Sequence, residues 1–223
     1  MARIVMSEEE MREWINDHKH DVVMDLTNWD VSQVEEMEGM FSYCQMRILN
    51  VSNWDVSNVV TMARMFKCCC NLEYVDASGW DVSHVTDMNR MFESCVNLRH
   101  IDVSRWNVSN VENMARMFDS CLNLEFINVS NWDVSHVECM NGMFHLCVNL
   151  RSLDVSRWNT SHVKSFTIMF AGCSELEYLD VSDWNVSDAL YVEGMFFYCP
   201  KLNSIDTKNW NISNINDFNL LVG

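Results

Sequence analysis

The stretch LRHIDVSRWNVSNVENMARMFDSCLN at residues 98–123 recurs with small changes along most of the chain. The tryptophans of these copies are evenly spaced, and only the step from Trp29 to Trp54 is one position shorter than the rest. In most repeats a Met-Phe pair follows the tryptophan, and a cysteine closes the repeat. A fixed period of this length is the signature of a repeat protein whose units stack on one another. The tryptophans concerned are Trp29, Trp54, Trp80, Trp106, Trp132, Trp158, Trp184 and Trp210.

Each repeat combines two hydrophobic periods. Residues 98–104 alternate, with Ile101 and Val103 on one side, which predicts a short strand with one buried face. Residues 111–121 carry apolar side chains three or four positions apart, which predicts a short helix. Ser109 is placed to cap this helix. Stacking such turns predicts an α/β solenoid of about eight 26-residue strand–helix turns, with a parallel sheet on one face.

The ends of the chain differ from the repeats and predict caps. Residues 1–20 form an N-terminal capping segment, in which Ser7 and Glu10 make a capping box and Met11, Trp14 and Ile15 form an apolar helix face. Residues 21–205 form the repeat solenoid. Residues 206–223 form a truncated capping turn, because Phe218, Leu221 and Val222 replace the usual Met, Met and Phe. One proline and six glycines leave no linker, so we expect one continuous domain.

Charge and hydropathy exclude several functional classes. The formal net charge is -17, from 15 basic and 32 acidic residues, which argues against nucleic acid and anionic membrane surfaces as partners. No apolar run has the length of a signal peptide or a membrane span, and no lipid anchor motif is present. We therefore expect a cytoplasmic or virion-associated protein that does not insert into membranes.

The string LDVSRWNTSHV at residues 153–163, followed by Met-Phe-Ala-Gly-Cys at residues 169–173, resembles the BspA-like leucine-rich-repeat family. Members of that family carry 26-residue repeats and occur as bacterial surface proteins, mycoplasma lipoproteins and products of large DNA viruses. The resemblance covers about residues 21–219. It implies a right-handed, leucine-rich-repeat-like solenoid that binds proteins or mediates adhesion, without enzyme activity. An exported surface adhesin is therefore the alternative to an intracellular scaffold.

The ten cysteines allow three interpretations: buried thiols, disulfides or metal ligands. Seven fall in the repeat column, where a small apolar side chain is expected, so buried reduced thiols are favoured. The run Cys68-Cys69-Cys70 lacks the paired spacing of a zinc site. Cys139 lies outside the column and is predicted to be the most exposed thiol. Because the polar residues repeat along ladders, no unique catalytic set is expected, and the sequence predicts no metal or cofactor.

The outward positions of the predicted sheet are the candidate binding site. Aromatic side chains among polar groups on a rigid surface are typical of protein interfaces. The sequence therefore predicts a non-enzymatic scaffold for protein–protein interaction or structural assembly, whose partner has basic or apolar anchors. The alternatives are that these aromatics only cover neighbouring turns, or that the helical face or an end cap is the interface. The candidate residues are Tyr74, His100, Phe126 and Tyr178, beside Asp76, Asp102, Asp154 and Asp180.

Overall fold

The computed structural model describes residues 3–202 and 204–211. Helix α1, Glu8–His18, lies near the N-terminus and has the predicted capping box, because Ser7 Oγ accepts a bond from the N–H of Glu10 and the Glu10 carboxylate accepts from the N–H of Ser7. Met11 and Ile15 of α1 are buried. The predicted capping residues Phe218, Leu221 and Val222 lie outside the described residues.

Short parallel strands join neighbouring repeats. Strand β1, Ile4–Val5, pairs with β3, Trp29–Asp30. Strand β2, Val23–Asp25, pairs with β4, Ile48–Asn50, which pairs in turn with β5, Tyr74–Val75. In the β2–β4 and β4–β5 pairs the two strands come from equivalent positions one sequence repeat apart. Isolated parallel bridges join His100 to Phe126 and Ser152 to Tyr178 along the same line.

A second parallel ladder runs along the stack on another side of each repeat. Its bridges join residues 36, 61, 87, 113, 139, 165 and 191 in succession. Hydrogen bonds to the following repeat continue beyond these bridges, as from the N–H of Phe118 to the carbonyl of Met143 at 2.9 Å. Neighbouring repeats are thus hydrogen-bonded along the second ladder, and at several steps along the first ladder as well.

The helix predicted in each repeat is absent, since α1 is the only α-helix among the described residues. Asn113 belongs to the second ladder, and residues 114–121 form consecutive turns, with bonds from Met117 N–H to Met114 O at 3.2 Å and from Cys121 N–H to Phe118 O at 3.2 Å. Arg116 and Ser120 have φ of 56° and 60°, in the left-handed region, and such residues interrupt an α-helix. Ser109 consequently caps no helix; its N–H donates to Asn107 Oδ1 in a local turn.

Aromatic ladders fill the core. The repeat tryptophans stack with ring centroids 6.1–6.5 Å apart, and the repeat phenylalanines stack at 5.1–5.9 Å. Each indole N–H from Trp54 onward donates to a backbone carbonyl of the preceding repeat, as Trp132 does to Val103 at 3.0 Å. Val75, Ile101 and Ile127 are buried, as the strand alternation predicts.

All ten cysteines are free thiols. From Cys69 onward, those of the repeat column donate from Sγ to a phenylalanine carbonyl of the preceding repeat, as Cys147 does to Phe118 at 3.2 Å. The expected exposure of Cys139 is wrong: this side chain is half-buried and its Sγ donates to Asn141 Oδ1 at 2.8 Å, whereas Cys70 is exposed. Cys139 belongs to the second ladder, which the predicted helix had hidden.

Candidate interaction surface

Exposed side chains follow the outward position of the first ladder, and we call residues 74, 100, 126, 152 and 178 the aromatic strip. Tyr74 is 50% exposed, Phe126 52% and Tyr178 68%, while the next residue inward of each is buried. Parallel pairing places members of the strip one above another, as in His100↔Phe126 and Ser152↔Tyr178. The strip therefore displays three large aromatic side chains, each two repeats from the next.

The same line extends toward the N-terminus by two residues that the sequence reasoning missed. Ile48 pairs with Tyr74 and is 40% exposed, and Val23 pairs with Ile48 and is 60% exposed. The repeat period could have identified both residues, because they occupy the position equivalent to Tyr74 one and two repeats earlier. The exposed apolar line thus begins at the first repeat.

An acidic row lies beside the aromatic strip. Oδ1 of Asp102 accepts bonds from the N–H and the hydroxyl of Ser104, at 3.0 and 2.7 Å, and Asp180 accepts the same pair from Ser182. The serine hydroxyl and then the serine N–H lower the pKa of the Asp102 and Asp180 carboxyls. Asp76 and Asp154 make the equivalent bonds to Ser78 and Ser156. These turns hold the carboxylates in fixed positions, and Asp102 and Asp180 are ionised at neutral pH.

A groove opens in the strip at Ser152, and we call it the Ser152 groove. Its volume is about 490 Å³. Phe126 and Tyr178 stand at its two ends, and Asp154 and Asp180 lie along it. Sequence reasoning named all four of these residues but missed the groove, which exists because a small serine separates two aromatic positions.

A column of alternating charge runs on the other side of the strip. Arg47 and Glu73 form a two-bond ion pair at 2.9 Å, and Arg99 and Glu125 lie 3.8 Å apart. Both pairs are well exposed, so each stabilises the fold by at most about 1 kcal/mol. They hold neighbouring repeats in register beside the strip.

Away from the strip, a buried carboxylate joins two repeats. Asp119 is 3% exposed and contacts His145 Nδ1 at 3.0 Å, Arg116 at 3.3 Å and the Ser120 hydroxyl at 2.8 Å. Ser120 donates to Asp119 and not to His145, so the three groups do not form a nucleophile–base pair. Sequence reasoning missed this cluster, although Asp119 and His145 occupy equivalent positions of adjacent repeats.

Neither a metal centre nor a membrane-spanning helix is found in the part of the chain that the structure describes. No group of three or more metal-ligating side chains comes together there. None of its helices combines the length and the apolar character of a membrane span.

Comparison with known proteins gives one family. The profile of the family described as "Mycoplasma protein of unknown function, DUF285" matches residues 9–126 and, a second time, residues 116–222. No curated protein matches the chain. The two matches together span nearly all of the repeats.

Proposed function

The chain belongs to the DUF285 family of mycoplasma proteins of unknown function, and from that starting point we propose that it is a non-enzymatic repeat scaffold that binds another protein. Its fold, in this proposal, is a right-handed, leucine-rich-repeat-like solenoid of the BspA-like kind. Support for the solenoid comes from the parallel pairing at the sequence period and from the aromatic ladders.

The observation that carries the proposal is the aromatic strip. Tyr74, Phe126 and Tyr178 keep half or more of their surface in water, although buried aromatic positions are available in every repeat. Large aromatic side chains are enriched at the centres of protein interfaces, where their burial supplies much of the binding energy. Parallel pairing holds their backbone in place, which lowers the entropy that is lost on binding. We infer that the strip is the contact surface for the partner.

Charge favours a basic partner. The net charge is -17, and the row containing Asp102 and Asp180 places fixed carboxylates beside the strip. Such a surface attracts a basic protein at long range, and the attraction weakens as salt screens it. Association should therefore slow as the salt concentration rises.

The test compares two triple variants in affinity capture from the native source, followed by affinity measurement with the purified partner. Tyr74→Ser, Phe126→Ser and Tyr178→Ser together should weaken binding at least tenfold. The control, Val60→Ser, Leu190→Ser and Tyr191→Ser, removes three exposed apolar side chains at or next to second-ladder positions and should bind normally. Neither variant touches the buried core, so both should keep nearly the parental melting temperature. Normal binding by the strip variant would exclude the strip as the interface.

Surface adhesion is the second candidate function. It is favoured by the resemblance of the repeats to those of bacterial surface proteins and mycoplasma lipoproteins. An adhesin would use the same strip on the outside of a cell. Antibody labelling of intact and permeabilised cells distinguishes the two, because an intracellular scaffold is labelled only after permeabilisation.

A further inference from the structure

We propose that the Ser152 groove binds an arginine side chain of the partner protein. The proposal rests on the proposed function and adds the chemical identity of the group that the strip recognises. It depends on the shape of the groove, its charge and the contrast with the rest of the strip.

The shape fits a planar group held between two aromatic side chains. Phe126 and Tyr178 lie two parallel repeats apart, or about 10 Å at the spacing of neighbouring strands. Ser152 pairs directly with Tyr178 and is too small to fill the gap, so the space of about 490 Å³ stays open. A guanidinium is flat and stacks on aromatic faces, which an ammonium cannot do in the same way.

The charge fits a cation with several donors. Asp154 and Asp180 line the groove, and each uses Oδ1 to accept bonds from its serine. Among the hydrogen bonds of the described residues, none reaches Oδ2 of either aspartate, so this oxygen can accept from a ligand. A guanidinium donates in a fork that matches carboxylate geometry.

The wider surroundings remain acidic when nearby cations are included. At or next to the lining positions there are four acids and two arginines, and when Arg99, which pairs with Glu125 at 3.8 Å, is included, an excess of one negative charge remains. The acids also lie on both sides of the groove, in the alternating column and in the acidic row. The alternating column is balanced by Arg99 and Arg151, so the attraction on an entering arginine comes from Asp154 and Asp180 of the acidic row. The acids and arginines at or next to the lining positions are Glu125, Asp154, Glu177, Asp180, Arg151 and Arg157.

The rest of the strip explains why the site lies here. Between Tyr74 and Phe126 the intervening position is His100, whose side chain is larger than that of serine and whose backbone pairs with Phe126. Between Phe126 and Tyr178 the intervening position is Ser152, which leaves the gap open. Of the two positions between aromatics in the strip, Ser152 has the smaller side chain, and the groove of about 490 Å³ lies there.

The probe is an end-blocked Gly-Arg-Gly peptide, titrated against the full chain and followed by the NMR signals of aromatic rings. We expect saturable shifts of Phe126 and Tyr178, with a dissociation constant on the order of 1 mM for a single side chain. Gly-Lys-Gly should bind at least fivefold more weakly. Equal binding of the two peptides would overturn the assignment to arginine.

Two variants test the site itself. Ser152→Tyr places a ring in the gap and should weaken binding of the arginine peptide at least tenfold. As the control, Ser204→Tyr adds the same ring at the equivalent position one repeat beyond Tyr178, outside the groove, and should leave peptide binding unchanged. Asp154→Asn with Asp180→Asn removes the carboxylates without filling the gap and should weaken binding at least fivefold. Undiminished peptide binding by folded Ser152→Tyr protein, or by the Asn double variant, would overturn the proposal.

The outcome is separable from the proposed function. If the arginine peptide does not bind while partner binding still depends on Tyr74, Phe126 and Tyr178, the groove assignment fails and the scaffold function stands. If the peptide binds at the groove but the triple variant of Tyr74, Phe126 and Tyr178 binds the partner normally, the groove is a cation site and the proposed interface is wrong.

Discussion

Replacement of Trp132 by alanine should be among the most damaging single changes in the chain. Trp132 is 3% exposed and stacks between Trp106 at 6.5 Å and Trp158 at 6.4 Å, with ring planes within 3° of parallel. Its indole N–H donates to the carbonyl of Val103 at 3.0 Å. The substitution therefore removes a buried ring, two stacking contacts and a hydrogen bond together.

The magnitude follows from these three losses. Truncation of a buried tryptophan to alanine costs about 3–5 kcal/mol. The Val103 carbonyl loses its partner, and a buried unsatisfied polar group costs about 1–3 kcal/mol. Relaxation of the neighbouring rings offsets part of this sum, so we expect a loss of about 5 kcal/mol. That is a third or more of the stability of a typical domain, about 5–15 kcal/mol.

The assay is urea denaturation followed by circular dichroism, with two reference variants. Trp132→Phe keeps a stacked ring but loses the indole donor, so it should cost about 1–3 kcal/mol. Cys147→Ser keeps a donor for the Phe118 carbonyl and should cost about 1 kcal/mol. A loss below about 1.5 kcal/mol for Trp132→Ala, or a larger loss for Cys147→Ser, would refute the reasoning that the ring ladder stabilises the stack.

Three further predictions concern the thiols and the backbone. Thiol counting after denaturation should find all ten cysteines reduced, and reductant should not change the melting temperature; a count of six or fewer thiols would indicate disulfides. Alkylation of the native protein should modify the exposed Cys70 first. Burial raises the pKa of the Cys44 thiol to about 11 and raises the pKa of Cys95 and Cys173 as well. Because unfolded thiols ionise near pH 9, stability should be constant below that pH and fall as the pH rises toward 11 and beyond; a flat profile to pH 11 would contradict this. Ser94 has φ of 61°, so Ser94→Gly should change the free energy of unfolding by no more than about 0.5 kcal/mol, whereas the β-branched Ser94→Val should lower it by about 1–3 kcal/mol. Equal melting temperatures of the two variants would show that this backbone position is not constrained.

The buried and exposed strand positions were well predicted from the sequence, because successive residues of a strand point to opposite faces and only two assignments are possible. Once Ile101 and Val103 are assigned to the core, Phe126 and its equivalents must point outward, and their exposure agrees. The burial of the tryptophans was equally clear, since a repeat period kept at every step but the first leaves no other register. Their indole donors reach the preceding repeat, which a period alone does not reveal.

The helix prediction was wrong because apolar spacing does not report backbone handedness. Arg116 and Ser120 are ordinary L-residues with φ above zero, and only a glycine, as at Gly142 and Gly172 in the equivalent positions, hints at such a conformation. Alternate N–H groups of this segment, such as those of Arg116, Phe118 and Ser120, then donate to the next repeat instead of along a helix.

The Ser152 groove was not predicted from the sequence. Sequence reasoning looked for large side chains in the outward column, whereas the groove is created by a small one. The cluster around Asp119 was also missed, because it depends on contacts of Asp119 with Arg116 and with His145 of the next repeat, which spacing along the sequence does not show.

The most direct test of a stack of interchangeable 26-residue units is a thermal melt of two deletion proteins, followed by circular dichroism. Deletion of residues 98–123 removes one whole unit and brings Glu73 against Glu125, a repulsion of no more than about 1 kcal/mol. We expect this protein to keep the parental spectrum per residue and to melt cooperatively. Deletion of residues 98–110 removes half a unit, places strand against turn, and should abolish the cooperative melt. If both proteins melt alike, or if the whole-unit deletion unfolds while the half-unit deletion folds, the repeats do not stack as independent units and the scaffold account is wrong.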